Sequence, residues 1–356
     1  MRFVLIALLL LLLVALSLSP ISTYDCWTHL AAGKYICQNR SIPAHDPFSW
    51  TLHEARWVNH EWFFQVGAYG VHQGMGVTGL ILAKTVVIVG TFGLLLVTVY
   101  RSDLPVFSTG LVCLAVLSAY PRFVVRPGVV SLLLLAVFLA VLEQVRRSGA
   151  HRWLWLLVGL EWVWANTHGY FVVGNVVLTA YLIGELLSRV DVIGRPLGSE
   201  RMPKRALRTL TWVWLTSFAV TLLTPGLLEG ALYPYRTIIA SSTGPIRQIT
   251  ELSSPLGSLL TTWCWCFLLL AGLSVVSLVV RGRKVHASDV LLLVVGLLAA
   301  LKAARNVPYF SLIAVMVAAR QWGGGLSSLE DRFGLAERAW FRWGIKPLLA
   351  LSLIHI

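Results

Sequence analysis

The chain has 356 residues, 57% of them hydrophobic and only 13% charged, with a formal net charge of +13. Globular domains carry about 25% charged residues, so a soluble fold of this length is excluded. The 29 basic residues stand in short clusters between apolar runs and form no continuous stripe, which excludes a nucleic-acid-binding domain. What remains is an all-α, polytopic transmembrane protein.

About 20 apolar residues cross a bilayer. On that measure at least ten spans are expected, at 3–19, 76–100, 104–120, 128–144, 153–166, 170–188, 209–224, 257–280, 289–304 and 307–319. The first apolar run follows Met1-Arg2 and ends at Pro20 with no small-x-small cleavage site, so it reads as an uncleaved anchor. With the N-terminus in the cytoplasm, 19 of the 29 basic residues fall on inner segments, nine on outer segments, and Lys84 within a span. That asymmetry follows the positive-inside rule, and the +13 charge is then chiefly an orientation signal.

Two outer segments are long, at about 20–75 and 225–256. The first extracytoplasmic loop holds Asp25, Asp46, Glu54 and Glu61, five of the nine histidines and four of the 15 tryptophans. Asp25, His29 and Gly33 share a helical face by their spacing, and Asp25 also reads as a helix N-cap. Asp46, before Pro47, reads as a turn former bonding its own backbone. Residues 59–73 are expected to form a second helix in the headgroup layer. Glu61, Gln65 and His72 would lie on one side of it, and Trp62, Val66 and Tyr69 on the other. Glu61 is then a second acid, a metal ligand or simply part of a solvated face.

Cys26 and Cys37 would lie about 16 Å apart on a continuous helix. That is beyond the roughly 7 Å that a disulfide tolerates. Asn39-Arg40-Ser41 fits the glycosylation triplet. The histidines show no HxxxH pair and no zinc spacing. Further along, Arg122 and Arg126 share a face if a helix runs through them, which Pro127 opposes; snorkelling to headgroups is their plain alternative. Glu161 lies inside a span, one turn from its outer end, where carboxylates lean functional. Leu351-Ser-Leu-Ile-His-Ile356 resembles a translated transposase end. It is set aside as a sequencing or cloning scar, leaving 1–350 as one transmembrane domain that the natural protein continues.

Three first-loop motifs carry a resemblance: Asp25-Cys-Trp-Thr-His-Leu-Ala-Ala-Gly-Lys-Tyr-Ile36, Ile42-Pro-Ala-His-Asp-Pro-Phe-Ser49 and Trp57-Val-Asn-His-Glu-Trp62. With Tyr120-Pro-Arg-Phe-Val-Val-Arg-Pro127, Trp164-Ala-Asn-Thr-His-Gly169 and Arg305-Asn-Val-Pro308, they resemble uncharacterised bacterial membrane proteins related to GT-C-fold glycosyltransferases. That superfamily includes the protein mannosyltransferases and lipid A aminoarabinose transferases. The chain departs from the pattern at Gly128, where an amide is expected, and at Leu252, where an aromatic is expected after Glu251.

The resemblance implies a transferase of the bacterial plasma membrane that moves a sugar from a polyprenyl-phosphate donor to an outer-face acceptor. Asp25 matches the first-loop carboxylate that serves the acceptor, as base or orienting group. His29, Asp46, Glu61 and His168 are possible supporting residues. A phosphate leaving group calls for cations, and the outer-face candidates are Arg122, Arg126, Arg236, Arg247, Arg305 and Lys302. Some relatives place a divalent ion between a loop carboxylate and the lipid phosphate. The rival readings are a transporter or flippase for lipid-linked saccharides and a non-catalytic envelope scaffold. A transporter predicts midplane charges and internal repeats. Lys84 is the only basic residue well inside a span, and no repeat is evident.

Overall fold

A computed structural model describes residues 2–51, 53–102, 104–189, 191–192, 195–196, 201–240, 250–282 and 285–333. Twelve α-helices run through them: α1 (Arg2–Ser17), α2 (Asp25–Asn39), α3 (Trp62–Val99), α4 (Pro105–Ala119), α5 (Pro127–Ser148) and α6 (Leu154–Ala165) come first. They are followed by α7 (Phe171–Leu187), α8 (Lys204–Val220), α9 (Leu227–Ala240), α10 (Thr262–Arg281), α11 (Ala287–Lys302) and α12 (Val307–Phe333). A two-residue antiparallel pair, Asp191–Val192 with Arg195–Pro196, interrupts this all-helical order. Each of the ten expected apolar stretches lies on a helix. By length and composition, α3, α5 and α10 are able to cross a membrane, while α1 and α7 are apolar but shorter. Residues 351–356 and most of the 241–256 stretch lie outside the described residues.

The expected headgroup-layer helix, which begins at Trp62 rather than at residue 59, and the span after it are joined across a kink as the two halves of α3. Its only non-helical backbone is at Gly76 (φ 61°, ψ −154°), a left-handed conformation that glycine adopts without steric cost. Asn59–Glu61 thus stay in a turn. There the Asn59 and Gln65 side-chain amides exchange two hydrogen bonds of 2.8 Å each. α2 lies against the first half of α3. Gly33 makes this approach possible, because a Cβ there would sit 2.1 Å from the Gln65 carbonyl oxygen. Cys26 and Cys37 are both on continuous α2 and both free.

The helices enclose a core that includes Phe92, Phe123, Phe138, Trp164, Phe171, Phe267 and Phe310. In lipid, close packing and hydrogen bonds between helices replace the hydrophobic drive. Accordingly, the Ser118 and Ser311 hydroxyls meet at 2.7 Å and Trp214 Nε1 donates to Thr179 Oγ1 at 2.8 Å. Lys84, buried within α3, donates to the carbonyl and hydroxyl of Ser19 at 2.8 and 3.0 Å, just past the end of α1. Its charge is thereby satisfied by unwound backbone.

The loop between α2 and α3 is ordered by its own turns. Asp46 N donates to Ala55 O at 2.8 Å and Trp57 N to Ala44 O at 2.8 Å, making a short ribbon. Phe48 packs edge-on against both Tyr35 and Trp57. At the opposite end of the bundle, Glu143, Asp289 and Arg320 form a buried charge cluster with Tyr181 and Gln321.

Candidate functional site

Six chain segments converge on a cavity of about 550 Å³ at the first-loop end of the bundle. They are the start of α2, the turn before α3, the 120–128 turn, the α6–α7 turn, residues 251–252 and the start of α12. Asp25 is the first residue of α2. Capping does not account for it: Tyr24 occupies the cap position, without a side-chain cap bond. The Asp25 carboxylate instead reaches Arg126 NH2 at 2.7 Å.

The two arginines do not share a helical face. Tyr120–Arg122 is a 3-10 turn, and Arg126 is extended (φ −148°, ψ 159°), the conformation that the following Pro127 favours. They meet through a third residue, because Glu251 Oε1 lies 2.8 Å from Arg122 NH1 and 2.8 Å from Arg126 NH1. Burial on its own raises the Glu251 carboxyl. The two guanidiniums outweigh it and hold the group below the usual carboxylate range. Arg305 differs from both. Its guanidinium lies 5.5 Å from the Tyr170 ring centre, and no carboxylate pairs with it among the described residues.

The Trp57–Trp62 and Trp164–Gly169 motifs meet in space. Trp62 Nε1 donates to Asn166 Oδ1 at 2.8 Å and Phe63 N to Asn166 O at 3.1 Å. This clamp, with the Asn59–Gln65 amide pair, fixes the intervening His60 and Glu61. Trp164 Nε1 donates to Ser131 Oγ, which also contacts His168 Nδ1, both at 2.8 Å. His168 then stacks on Tyr170, and Tyr170 on Tyr309, with ring centres 4.9 and 4.5 Å apart. The Tyr309 hydroxyl donates to Gly128 O at 3.3 Å, so the departure at Gly128 leaves the cavity wall to tyrosine.

Glu61 does not lie on a solvated face. It stands at the N-cap position of α3 beside the cavity, without a side-chain cap bond and about a quarter exposed, with its carboxylate 3.9 Å from His29 Nδ1, 3.8 Å from His60 Nε2 and 3.9 Å from His168 Nε2. Burial, and then the charge of Asp25, raise its carboxyl to about 7 against the pull of Arg126. Burial lowers all three imidazoles. His29 falls to about 4 despite Asp25, His60 falls despite its bond to Val58 O, and His168 falls well below its ordinary value. At neutral pH the histidines are therefore uncharged.

A second cavity of about 500 Å³ adjoins the first, lined by Val172, Val173, Val176, Leu292, Val295, Phe310 and Ile313. Glu61, His168, Tyr170, Leu252, Arg305 and Tyr309 line both. Of the expected residues, Asp25, His29, Glu61, Arg122, Arg126, His168 and Arg305 thus converge, and Lys302 lines the apolar cavity. Asp46 lines neither; it accepts from the N–H groups of Phe48 and Ser49 at 2.8 and 3.1 Å, which builds the loop. Arg236 lines neither, and Arg247 lies outside the described residues. Sequence reasoning passed over Glu251 as an arginine bridge, and also Tyr170, Tyr309 and Ser131, and weighed His60 only as a metal ligand. Two of these had a usable signal, since His60 abuts Glu61 and Tyr309 follows the Arg305–Pro308 motif.

The donor set does not fit a divalent ion. Among the described residues no three His, Cys, Asp or Glu side chains are arranged to hold one, and Asp25 and Glu251 are both turned onto arginines.

No family profile and no curated protein matches the chain. Solved structures do. The archaeal oligosaccharyltransferase AglB from Archaeoglobus fulgidus, in complex with an inhibitory peptide and a dolichol-phosphate, aligns with a TM-score of 0.63 at 11% identity, over 98% of this chain and 54% of that one. The apo Archaeoglobus fulgidus oligosaccharyltransferase aligns with a TM-score of 0.64 at 12% identity, over 98% and 54%. Its complex with Zn and sulfate aligns at 0.58 and 12%, over 97% and 51%. The chain spans about half the length of these proteins, and at such identities the likeness is one of fold. The fold is the GT-C-like helical membrane fold that the first-loop motifs imply.

Proposed function

We propose that this protein is a membrane glycosyltransferase that moves a sugar from a polyprenyl-phosphate donor to an acceptor on the extracytoplasmic face of a bacterial plasma membrane. In this reading the chain crosses the bilayer at least ten times, with its N-terminus in the cytoplasm. One observation carries the reading: a polar, arginine-bearing cavity and an apolar one adjoin and share Arg305 in their walls. That junction suits a molecule with a charged head and a hydrocarbon tail. Like-folded AglB is described with a dolichol-phosphate and a peptide, which supports a lipid phosphate on one side of the site and an acceptor on the other.

As the acceptor attacks the anomeric carbon, negative charge grows on the departing phosphate. Arg305 stands ready for that charge, and a guanidinium serves it through directed N–H donors. Arg122 and Arg126 supply further positive charge, held in place by Glu251 and Asp25. Asp25 lies at the more open rim, where it orients the acceptor and, through its ion pair, Arg126. The arginines and carboxylates of the site gather at one end of the bundle. This fits transfer at one membrane face better than carriage across it.

The test is mass spectrometry of lipids retained by the purified full-length protein. A polyprenyl-phosphate sugar kept by wild type and Asp25→Asn but lost in Arg305→Ala is expected. Bulk phospholipid alone, unchanged in all three, would overturn the proposal.

A further inference from the structure

We infer that Glu61, and not Asp25, takes the acceptor's proton, with the imidazoles of His29, His60 and His168 forming the polar wall that leads the proton away. The inference rests on the transferase reading above and names the base within that site.

Glu61 lines both the polar and the apolar cavity, as Arg305 does, so it borders the junction where a sugar–phosphate bond would lie. Asp25 lines only the polar cavity, and its side chain is 56% exposed.

Among the described residues Asp25 and Glu251 both pair with guanidiniums at 2.7–2.8 Å, whereas Glu61 pairs with no lysine or arginine. A carboxylate locked to a guanidinium has little appetite for a proton.

The imidazole nitrogens stand 3.8–3.9 Å from the Glu61 oxygens, too far for hydrogen bonds, so those carboxylate lone pairs remain open to an incoming O–H. His60 must donate from Nδ1, because its partner there, Val58 O, is only an acceptor. Its Nε2 therefore presents a lone pair toward Glu61, able to receive a proton in turn.

The groups facing Glu61 are His29 and Asp25 from α2, His60 from its own turn, His168 from the α6–α7 turn and Arg126 from the segment before α5. Burial first, and then Asp25 against the pull of Arg126, leave the Glu61 carboxyl at about 7, near the optimum for a base working at neutral pH.

The step balances. The acceptor hydroxyl oxygen forms a bond to the anomeric carbon. The bond from that carbon to the phosphate oxygen breaks, its electron pair staying on the phosphate beside Arg305. The hydroxyl proton goes to the Glu61 carboxylate. Asp25 is then a positioning residue that acts through Arg126.

The experiment uses the full-length protein as wild type, Glu61→Gln, Glu61→Ala and Asp25→Asn. Three readouts are combined: infrared pH titration of carboxyl groups, native mass spectrometry with added undecaprenyl phosphate, and release of labelled sugar from undecaprenyl-phosphate glucose. In wild type a protonated-carboxyl band should titrate near pH 7. It should persist in Asp25→Asn, moved to lower pH, and vanish in Glu61→Gln. Sugar release should climb with pH through the same range. Glu61→Gln should lose it by at least ~100-fold while still binding undecaprenyl phosphate, and formate should partly rescue Glu61→Ala. Three outcomes overturn the assignment: no such band in wild type, a band or pH limb that survives Glu61→Gln, or release by Glu61→Gln within about threefold of wild type, far short of a general-base effect. Failure of wild type to bind undecaprenyl phosphate would instead overturn the transferase reading, while the infrared titration would still judge Glu61.

Discussion

Two arginine–carboxylate clusters lie at opposite ends of the same helices, and they are built on different plans. Val307 opens α12 beside the cavity, and Arg320 follows 13 residues later, ~20 Å along the helix. Around Arg320 each carboxylate finds a cation, while the Nε of Arg320 itself makes no hydrogen bond. Its guanidinium pairs with Glu143 and Asp289 and donates to Tyr181 OH at 3.1 Å, while Gln321 Nε2 donates to Asp289 Oδ2 at 2.5 Å. Arg147 completes Glu143 at 2.7 Å, and Asp289 is wholly buried. At the cavity end, Asp25, Glu251 and Arg126 are partly exposed, and among the described residues Arg305 has no carboxylate partner and Glu61 no lysine or arginine. Saturated, buried charge braces helices; unsaturated charge beside a cavity is available to a ligand. Charge at a helix end thus says little about function until its partners are counted.

The largest effect that would break this comparison comes from the saturated cluster. Arg320→Ala removes the cation shared by Glu143 and Asp289, leaving Glu143 to Arg147 and the wholly buried Asp289 to Arg146 at 3.8 Å, and should cost about 3–5 kcal/mol of stability. The readout is a fall in the thermal unfolding midpoint in detergent; an unchanged midpoint would show that the cluster does not brace the bundle. At the cavity end, Arg305→Ala should leave that midpoint nearly unchanged yet weaken undecaprenyl phosphate binding by about 1.5–3 kcal/mol, the range for a hydrogen bond to charge. Equal loss of stability in both variants would erase the distinction between the two ends.

Gly33→Ala tests the scaffold that carries Asp25 and His29. An added Cβ would collide with the Gln65 carbonyl, so α2 must shift, at about 1–3 kcal/mol. Both the unfolding midpoint and lipid binding should fall, since the shift moves one wall of the cavity. Asp46→Ala should have the smallest effect, about 0.5–1.5 kcal/mol for the lost turn bonds, with lipid binding intact. A loss of binding equal to that of Arg305→Ala would return Asp46 to the site.

Much of the fold was legible in the chain because lipid demands a local signal, a run of apolar residues long enough to satisfy every backbone group. All ten expected stretches lie on helices for that reason. The break near residue 76 was legible too: Gly76 has non-helical backbone and separates the loop helix from the span, and only the start of the first helix, Trp62 and not residue 59, differs. The Asp46 turn was also legible, since Asp before Pro bonds its own backbone. In the site, the resemblance singled out Asp25, and spacing alone pointed to the Arg122–Arg126 pair. The pair does converge, but through Glu251, which lies 125 residues from Arg126, and not along a shared helix face.

Hydropathy, orientation bias and turn chemistry sum along neighbouring residues, and so the sequence by itself determined that the chain is helical, polytopic and carries a long ordered first loop. The state of each charged group was decided only by tertiary structure. Asp25 became a partner of Arg126, and Glu61 a carboxyl among three imidazoles, with no lysine or arginine partner among the described residues. Arg305, over the Tyr170 ring, has no carboxylate partner among the described residues and lines both cavities. Each depends on which loops the helix packing brings within a few ångströms, and electrostatics at that range is set by neighbours in space, not in sequence.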